Sequence, residues 1–246
     1  MDIHVLKFGG TSMNDHQTWR KVLDIIKTYE YPVVVVSATA QTTRQLIEAA
    51  RLASSQNLDE AYEISKSIKE RHLTIVQEFL NENPHPKHTL ILESCVRKLD
   101  EKIGLLNKLL IYTAKKGALI PSLEDAIAAI GEQISSFLLA QCGLATDQLT
   151  QFVDARKIIK TDDNYGNASP NSLLIQQKIS SLETILDGGF TPIIGGFYGE
   201  TKDGTVTTLG FEGSDYSASL IGGALHAKAI EIWTDVSGIY TADPRY

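Results

Sequence analysis

Residues 32–38, PVVVVSA, contain four consecutive valines. This stretch restricts the possible folds of the chain more than any other part of the sequence. β-branched side chains favour extended backbone. A strand that is apolar at every position, rather than at alternate positions, is typical of a parallel sheet that is covered on both faces. The run therefore predicts a strand at the centre of a parallel sheet.

Apolar runs and helical patterns alternate along the rest of the chain. Residues 3–8 form another apolar run, and Trp19, Val22, Leu23 and Ile26 recur at helical spacing before the valine run, which predicts a βαβ unit. The later patterns predict helices over residues 58–82, 90–113 and 122–141, a helix near 173–186, a short strand and one arm of a hairpin within 191–210, a helix over 213–227 and then a strand. We expect one α/β domain with a helical block in its middle.

The composition is that of a globular protein, since 43% of the 246 residues are apolar. With 23 basic and 30 acidic residues the formal charge is −7, and no local basic patch is present, so we expect no binding to nucleic acid or to an anionic membrane. No apolar run approaches the roughly 20 residues of a membrane span, and MDIHVLKFGG lacks the charged-then-apolar order of a signal peptide. We therefore expect a cytoplasmic protein in which Cys95 and Cys142 are buried thiols, not a disulfide or a metal pair.

Glycine-rich segments follow several of the predicted strands, and ligands of open α/β sheets bind outside the carboxyl ends of strands. In KFGGTS, Lys7 precedes Gly9 and Gly10, whereas the lysine of a P-loop follows its glycines. A lysine at a strand end can reach an anion while glycine N–H groups approach it, although an ordinary turn beside a solvated lysine would look the same. GGFYGE, residues 195–200, is likewise either a second backbone nest or a plain turn.

Two further segments carry candidate ligand groups. In TTLGFEGSDYSAS, Ser214 is a candidate helix N-cap and Asp215 falls in the first turn, so the helix start could face an anion; the alternative is an acid that only complements the helix dipole. In WTDVSGIYTADPR, a loop after a strand contains side chains suited to a purine and its phosphates, although a surface turn would also contain them. These side chains are Thr234, Asp235, Tyr240 and Arg245.

The order KFGGTS, VVVVSA, AIGEQIS, GGF, TTLGFEGSDYSA and IWTDVSGIYTADPR resembles the aspartate kinases of the amino acid kinase family over nearly the whole chain. The resemblance implies a three-layer α/β/α sandwich with a mainly parallel central sheet. It implies transfer of the γ-phosphoryl group of ATP to the side-chain carboxylate of L-aspartate, the first step towards lysine, threonine and methionine, with Mg²⁺ held mainly by the ATP phosphates. We expect residues 1–246 to be one kinase domain, with a substrate-side helical block near 43–142 and a nucleotide-side region near 190–246, and the full-length protein to be a homo-oligomer.

The resemblance also assigns roles to individual residues. Lys7 and Asp215 are the expected catalytic residues, with Lys7 at the point of phosphoryl transfer and Asp215 orienting the cations or the substrate ammonium. Glu132, which lies off the apolar stripe of its helix and could otherwise be a solvated acid, is assigned to the substrate ammonium. The expected nucleotide-binding residues are Lys7, Gly9, Gly10, Ser12, Gly195, Gly196, Ser214, Thr234, Asp235, Tyr240 and Arg245, and the expected substrate-binding residues are Ser37, Thr43, Arg44, Glu132 and Ser214.

Two departures from the family pattern affect these expectations. The family continues past TADPR with the rest of the kinase domain and with ACT regulatory domains, so we expect this chain to lack the last strand and helices of the domain and to expose apolar surface. Phe211 stands where the family usually has an arginine that clamps the α-carboxylate of the substrate. Arg44 either supplies a relocated clamp or points to solvent.

Three alternatives remain open at this point. The chain could be a kinase for another carboxylate, such as glutamate or acetylglutamate, or a nucleotide- or amino-acid-sensing pseudokinase without turnover. A dinucleotide-binding oxidoreductase is disfavoured because no G-x-G-x-x-G follows the first strand.

Overall fold

The computed structural model describes residues 1–234. The strands in this part are β1 (Ile3–Phe8), β2 (Tyr31–Val36), β3 (Thr150–Val153), β4 (Thr191–Gly195), β5 (Tyr198–Glu200), β6 (Val206–Thr208) and β7 (Ala229–Trp233). Five of them form a parallel sheet in the order β3-β4-β2-β1-β7, and β5 pairs with β6 as an antiparallel hairpin. The predicted central position of the valine run is confirmed, because β2 lies between β1 and β4.

Side chains of the central strands alternate between two apolar cores, as the period of two along a strand requires. Leu6 and Phe8 of β1 belong to one core, and Val5 belongs to the other. Lys7 therefore shares the face of Val5, and it is paired in register with Val35 of β2 and Ile232 of β7. This parity decides which helices surround the lysine.

One helical layer covers the face of Leu6 and Phe8. Its helices are α1 (His16–Ile26), α2 (Thr42–Ser54), α3 (Leu58–Glu82), α4 (His88–Lys116), α5 (Pro121–Ala128) and α6 (Ile130–Leu144). The single helix predicted over residues 122–141 is wrong, because α5 and α6 meet at Ala129, where ψ is −16°. The apolar spacing continues through that junction, so periodicity alone does not reveal it.

The segment Pro121–Leu144 is long and apolar enough to cross a membrane by length and composition, yet 83% of its most apolar window is buried inside the protein. Packing in the core accounts for its composition. Cys95 of α4 and Cys142 of α6 are buried and free in this same layer, as predicted, and burial raises the pKa of Cys95 to about 12.

The other helical layer covers the face of Val5, so the predicted three-layer sandwich is confirmed. Its helices are α7 (Ser172–Lys178), α8 (Ser180–Asp187) and α9 (Gly213–Ala224). The pattern over residues 173–186 again corresponds to two helices, which meet at Ile179. In the described part of the chain β7 is an edge strand, and its side chains Ile230, Ile232 and Trp233 are 40%, 49% and 36% exposed.

The contact between α6 and β3 gives a test of the packing. A Cβ atom added at Gly143 would lie 2.4 Å from Thr150 Oγ1, a hydroxyl that donates a hydrogen bond to the Ala140 carbonyl. We expect Gly143→Ala to lower the free energy of unfolding by about 1–3 kcal/mol through overpacking. Gly104→Ala is the control, because a Cβ added there meets nothing within 4 Å apart from its chain neighbours and the backbone of its own helix, and it should be neutral or raise stability by up to about 1 kcal/mol. Urea denaturation of both variants measures this, and equal effects would contradict the packing described.

Candidate active site

The carboxyl ends of β1 and β2 and the first turn of α9 enclose a polar cleft of about 430 Å³. We call it the Lys7 cleft. Six of the residues predicted for the site line it, which are Lys7, Ser37, Thr43, Glu132, Ser214 and Asp215. Five residues that were not predicted as ligand groups also line it, which are Phe197, Gly210, Phe211, Glu212 and Gly213.

Lys7 is held at this edge of the sheet by an ion pair. It is the second-last residue of β1, only 9% exposed, and its Nζ lies 2.5 Å from Asp215 Oδ1 in α9. The parity of β1 directs Lys7 to the α9 side, and the first turn of α9 brings the acid to it. The ammonium is thereby fixed in position at the wall of the cleft.

The start of α9 differs from the prediction in one respect. The helix begins at Gly213 after Glu212, which adopts a left-handed conformation with φ of 55°, so Ser214 lies inside the first turn and is not the N-cap. Gly210 is also left-handed, with φ of 81°, and its carbonyl accepts a hydrogen bond from the Gly213 N–H. The predicted position of Asp215 in the first turn is confirmed.

Close packing explains why residues 195 and 196 are both glycine. A Cβ atom added at Gly195 would lie 2.7 Å from the Glu132 carbonyl oxygen, and one added at Gly196 would lie 2.7 Å from Ser214 Cα. The N–H groups that the predicted nest would offer are already used, because Gly196 donates to the Val36 carbonyl and Phe197 donates to Ser217 Oγ. These glycines therefore let α6 and α9 approach the end of β4, and direct contact with a nucleotide stays a prediction.

Glu132 is a buried carboxyl group, so the interpretation as a solvated acid is wrong. It is 4% exposed, and its Oε2 has no hydrogen-bond partner. Burial raises the pKa of Glu132 to about 8, against a smaller opposing effect of the hydrogen bond from the Ala38 N–H. A buried acceptor without a partner at the wall of a cleft is suited to a cationic ligand group.

Arg44 lies outside the Lys7 cleft. It is exposed and lines a neighbouring surface cleft together with Thr43, Glu48 and Arg51. This position favours the interpretation that Arg44 points to solvent, and it does not support a relocated clamp.

The residues predicted for the nucleotide are divided between the two faces of the sheet. Ser12 and Thr234 line a cleft of about 230 Å³ next to α1, together with Phe8 and Trp233. We call it the α1-side cleft. Gly9 lies between the two clefts, since its N–H is 3.4 Å from the Trp233 carbonyl and a Cβ added to it would be 3.5 Å from Lys7 Nζ.

Gly10 follows Gly9 with helical backbone angles, and a Cβ added there would be 3.5 Å from the Ala38 carbonyl, an ordinary contact. The predictions for Asp235, Tyr240 and Arg245 lie outside the described residues.

Two residues at the site, Phe197 and Asp125, could not be identified from the sequence patterns. Phe197 has a φ of 73°, which is uncommon for a bulky residue, and it faces both the Lys7 cleft and the adjoining cleft beside α5. Asp125 of α5 is buried and accepts hydrogen bonds from the Thr208 N–H, the Thr208 hydroxyl and the Gly166 N–H. It fastens β6 to the helical block and thereby fixes the chain that leads into α9.

In residues 1–234 no group of three or more histidine, cysteine or acidic side chains could hold a metal ion.

Comparisons with known proteins agree with this architecture. A sequence model of the amino acid kinase family matches residues 2–246. Lysine-sensitive aspartokinase 3 of Escherichia coli (strain K12) is 33% identical over an alignment of 247 positions, which covers 99% of this chain and 51% of that protein. The aspartokinase of Chlamydia trachomatis is 32% identical over 241 residues, 98% of this chain and 50% of the relative.

The solved structure of E. coli aspartokinase III in complex with aspartate and ADP matches with a TM-score of 0.85 at 33% identity and covers 99% of this chain and 51% of that chain. The chain belongs to the amino acid kinase family. It spans about half the length of the curated relatives it matches.

The burial of Glu132 predicts a pH dependence of stability. Its pKa is raised from 4.5 to about 8 on folding, so between these pH values the unfolded chain has lost a proton that the folded protein keeps. The free energy of unfolding should therefore fall as the pH rises through this range. Glu132→Gln should remove that decline and be more stable than the unsubstituted chain by roughly 2–4 kcal/mol at pH 8, with little difference near pH 4.5.

Urea denaturation at a series of pH values measures this difference. Glu60→Gln, at an exposed position of α3, is the control and should leave the slope unchanged. The same slope in Glu132→Gln and in the unsubstituted chain would contradict a buried, protonated Glu132.

Proposed function

We propose that this chain is the catalytic part of an aspartokinase, which transfers the γ-phosphoryl group of ATP to the side-chain carboxylate of L-aspartate. The observation that carries the proposal is the Lys7 cleft, in which one wall holds an ion-paired lysine and another holds a buried carboxyl group with an unpaired oxygen. The family membership and the similarity to a structure that holds aspartate and ADP also support it.

The reaction needs positioning and charge neutralisation more than it needs a base. The side chain of aspartate has a reference pKa of about 3.9, so it is already ionised at neutral pH. Both reactants are anions, and charge spreads over the oxygens of the transferred group in the transition state. Lys7, fixed on a strand by Asp215, places a positive charge beside these oxygens without reorganisation.

Glu132 is suited to the ammonium group of the amino acid. An ammonium beside Oε2 satisfies the unpaired acceptor and favours the ionised carboxylate, which lowers the pKa of Glu132 from about 8. Binding of the amino acid at neutral pH should therefore release a proton from Glu132.

Mg²⁺ is part of this proposal as an ion held mainly by the ATP phosphates. Mg²⁺ keeps several waters and usually takes one or two protein carboxylates in addition to phosphate oxygens, and Asp215, beside Lys7 in the cleft, is a carboxylate suited to this role. The ion supplies positive charge to the phosphate oxygens.

The lining of the cleft leaves the α-carboxylate of the substrate without an obvious cation. Lys7 is the one basic side chain in the described lining, against Glu132, Glu212 and Asp215. Phe211, at the mouth of the cleft, is 94% exposed and cannot pair with a carboxylate. Because Phe211 stands where the aspartate kinases usually have an arginine, a different carboxylate acceptor is the second candidate.

A hydroxylamine assay tests the proposal, because hydroxylamine traps an acyl phosphate as a hydroxamate. The chain is incubated with Mg²⁺ and ATP and with L-aspartate, L-glutamate or N-acetyl-L-glutamate in turn. Hydroxamate formed with aspartate above the other two supports the proposal. Product with another acceptor favours the second candidate, and no product with any acceptor although ATP binds favours a sensor.

Lys7 provides the sharpest test of the catalytic role. Lys7→Ala should lower kcat by about 10²- to 10³-fold with a smaller change in KM for ATP, because a charge that stabilises the transition state is lost. Lys69→Ala removes a surface lysine paired with Asp100 and is the control, with kcat expected to stay within about two-fold. A change confined to KM would contradict the role assigned to Lys7.

A substitution at Phe211 tests whether the cleft lacks a cation for the α-carboxylate of the substrate. Phe211→Arg places a guanidinium at the mouth of the Lys7 cleft, and we expect it to lower KM for aspartate by about ten-fold, the size of one added charge-assisted hydrogen bond. Arg44→Ala should leave this KM unchanged, because Arg44 lines a different cleft. A large increase in KM in Arg44→Ala would instead restore the relocated clamp.

A further inference from the structure

One loop brings the substrate side of the Lys7 cleft together. It comprises residues 37–43, between β2 and the first turn of α2, and we call it the substrate loop. Ser37 and Thr43, at its two ends, line the cleft, and the Ala38 N–H between them bonds the Glu132 carboxylate. The position of this loop therefore sets the geometry of three groups at the site.

Residues 38–42 of the loop are not part of the cleft lining, and α3 is hydrogen-bonded to three of them. Arg71 donates hydrogen bonds from Nη1 to the Ala40 carbonyl at 2.6 Å and from Nη2 to Thr42 Oγ1 at 2.6 Å. Nη2 also donates to Gln45 Oε1, at 3.0 Å, in the first turn of α2. One guanidinium thus joins the loop to the helix that follows it.

The bonds of Arg71 are made to neutral acceptors. Burial lowers the pKa of Arg71, with no acidic neighbour opposing this effect among the described residues. Its charge is therefore directed at the loop and is not neutralised by a carboxylate, which makes the bonds to Ala40 and Thr42 charge-assisted.

The neighbouring residue on α3 adds a second attachment. His72 is fully buried, and its Nδ1 lies 2.7 Å from the Ile68 carbonyl while its Nε2 lies 3.0 Å from Thr39 Oγ1. A carbonyl only accepts, so Nδ1 carries the proton and Nε2 accepts from the Thr39 hydroxyl. Burial lowers the pKa of His72 to about 4, which keeps the ring neutral in this arrangement at neutral pH.

The loop needs such support because its backbone is strained. Gln41 has a φ of 68°, in the left-handed region that a residue with a side chain seldom adopts. The attached residues lie on both sides of it, with Thr39 and Ala40 before and Thr42 after. Loss of these bonds would allow the loop to relax from this strained conformation, which would shift Ala38 and Thr43.

We propose that Arg71, together with His72, positions the amino acid substrate by holding the substrate loop in its strained conformation. Neither side chain contacts the substrate itself. The changes in KM that this inference predicts rest on the proposed function. Arg71 acts on the acceptor side of the reaction, whereas Lys7 acts at the phosphoryl group.

Arg71→Lys is the test variant, because lysine keeps the charge but cannot reach three acceptors with a planar fork. KM for aspartate should rise about ten-fold, with KM for ATP within about two-fold of the unsubstituted chain. Arg97→Lys, at an exposed position of α4, is the matched control and should change neither constant. Equal rises in both KM values, or an unchanged KM for aspartate, would overturn the proposal.

Amide hydrogen exchange provides a readout that does not depend on activity. The Ala38 N–H is bonded to Glu132 and the Thr42 N–H to the Thr39 carbonyl at 3.0 Å. Both amides should exchange about ten-fold faster in Arg71→Lys, while amides in the middle of β2 keep their rates. If the unsubstituted chain phosphorylates none of the acceptors, the proposed function fails on its own, and unchanged exchange at these two amides would then separately overturn the inference.

Discussion

Lys7 carries a buried positive charge at the end of a strand that has neighbours on both sides, and the arrangement of the whole site depends on how that charge is compensated. Removing an ammonium from water costs several kcal/mol unless it is paired. Asp215 supplies the pairing at 2.5 Å, which requires the first turn of α9 to lie against the end of β1. Gly196 permits this approach because it has no side chain to collide with Ser214, and the left-handed Gly210 and Glu212 turn the chain into the helix.

The sheet separates two clefts because its side chains alternate. Lys7 faces α9 and the substrate loop, whereas Phe8, one residue later, stacks against Trp233 on the α1 side at a centroid distance of 6.1 Å. Gly9 lies where the two clefts approach each other. The residues assigned to the nucleotide from the sequence are consequently distributed over both faces, and their convergence on one ligand remains a prediction.

The sequence predicts well those features that follow from local pattern. The valine run, the βαβ unit and the position of Asp215 in the first turn of α9 all follow from periodicity and from residue type, and so does the strand-end position of Lys7. The breaks at Ala129 and Ile179 could not be predicted, because the apolar spacing runs through both.

Features that depend on contacts between distant parts of the chain could not be predicted from the sequence either. Ser214 has the chemistry of an N-cap, but the left-handed Glu212 starts the helix one residue before it. Arg71 and His72 look like ordinary helix residues, and only the fold places them behind a loop about thirty residues earlier in the chain, as their bonds to Ala40 and Thr39 show.

The central claim is that phosphoryl transfer takes place in the Lys7 cleft, between Lys7 and Glu132. A crystal structure of the chain with Mg²⁺, a non-hydrolysable ATP analogue and L-aspartate tests it most directly. The account predicts γ-phosphate oxygens within hydrogen-bond distance of Lys7 Nζ and the aspartate ammonium against Glu132 Oε2. Phosphates bound instead in the α1-side cleft, beside Ser12, would contradict it.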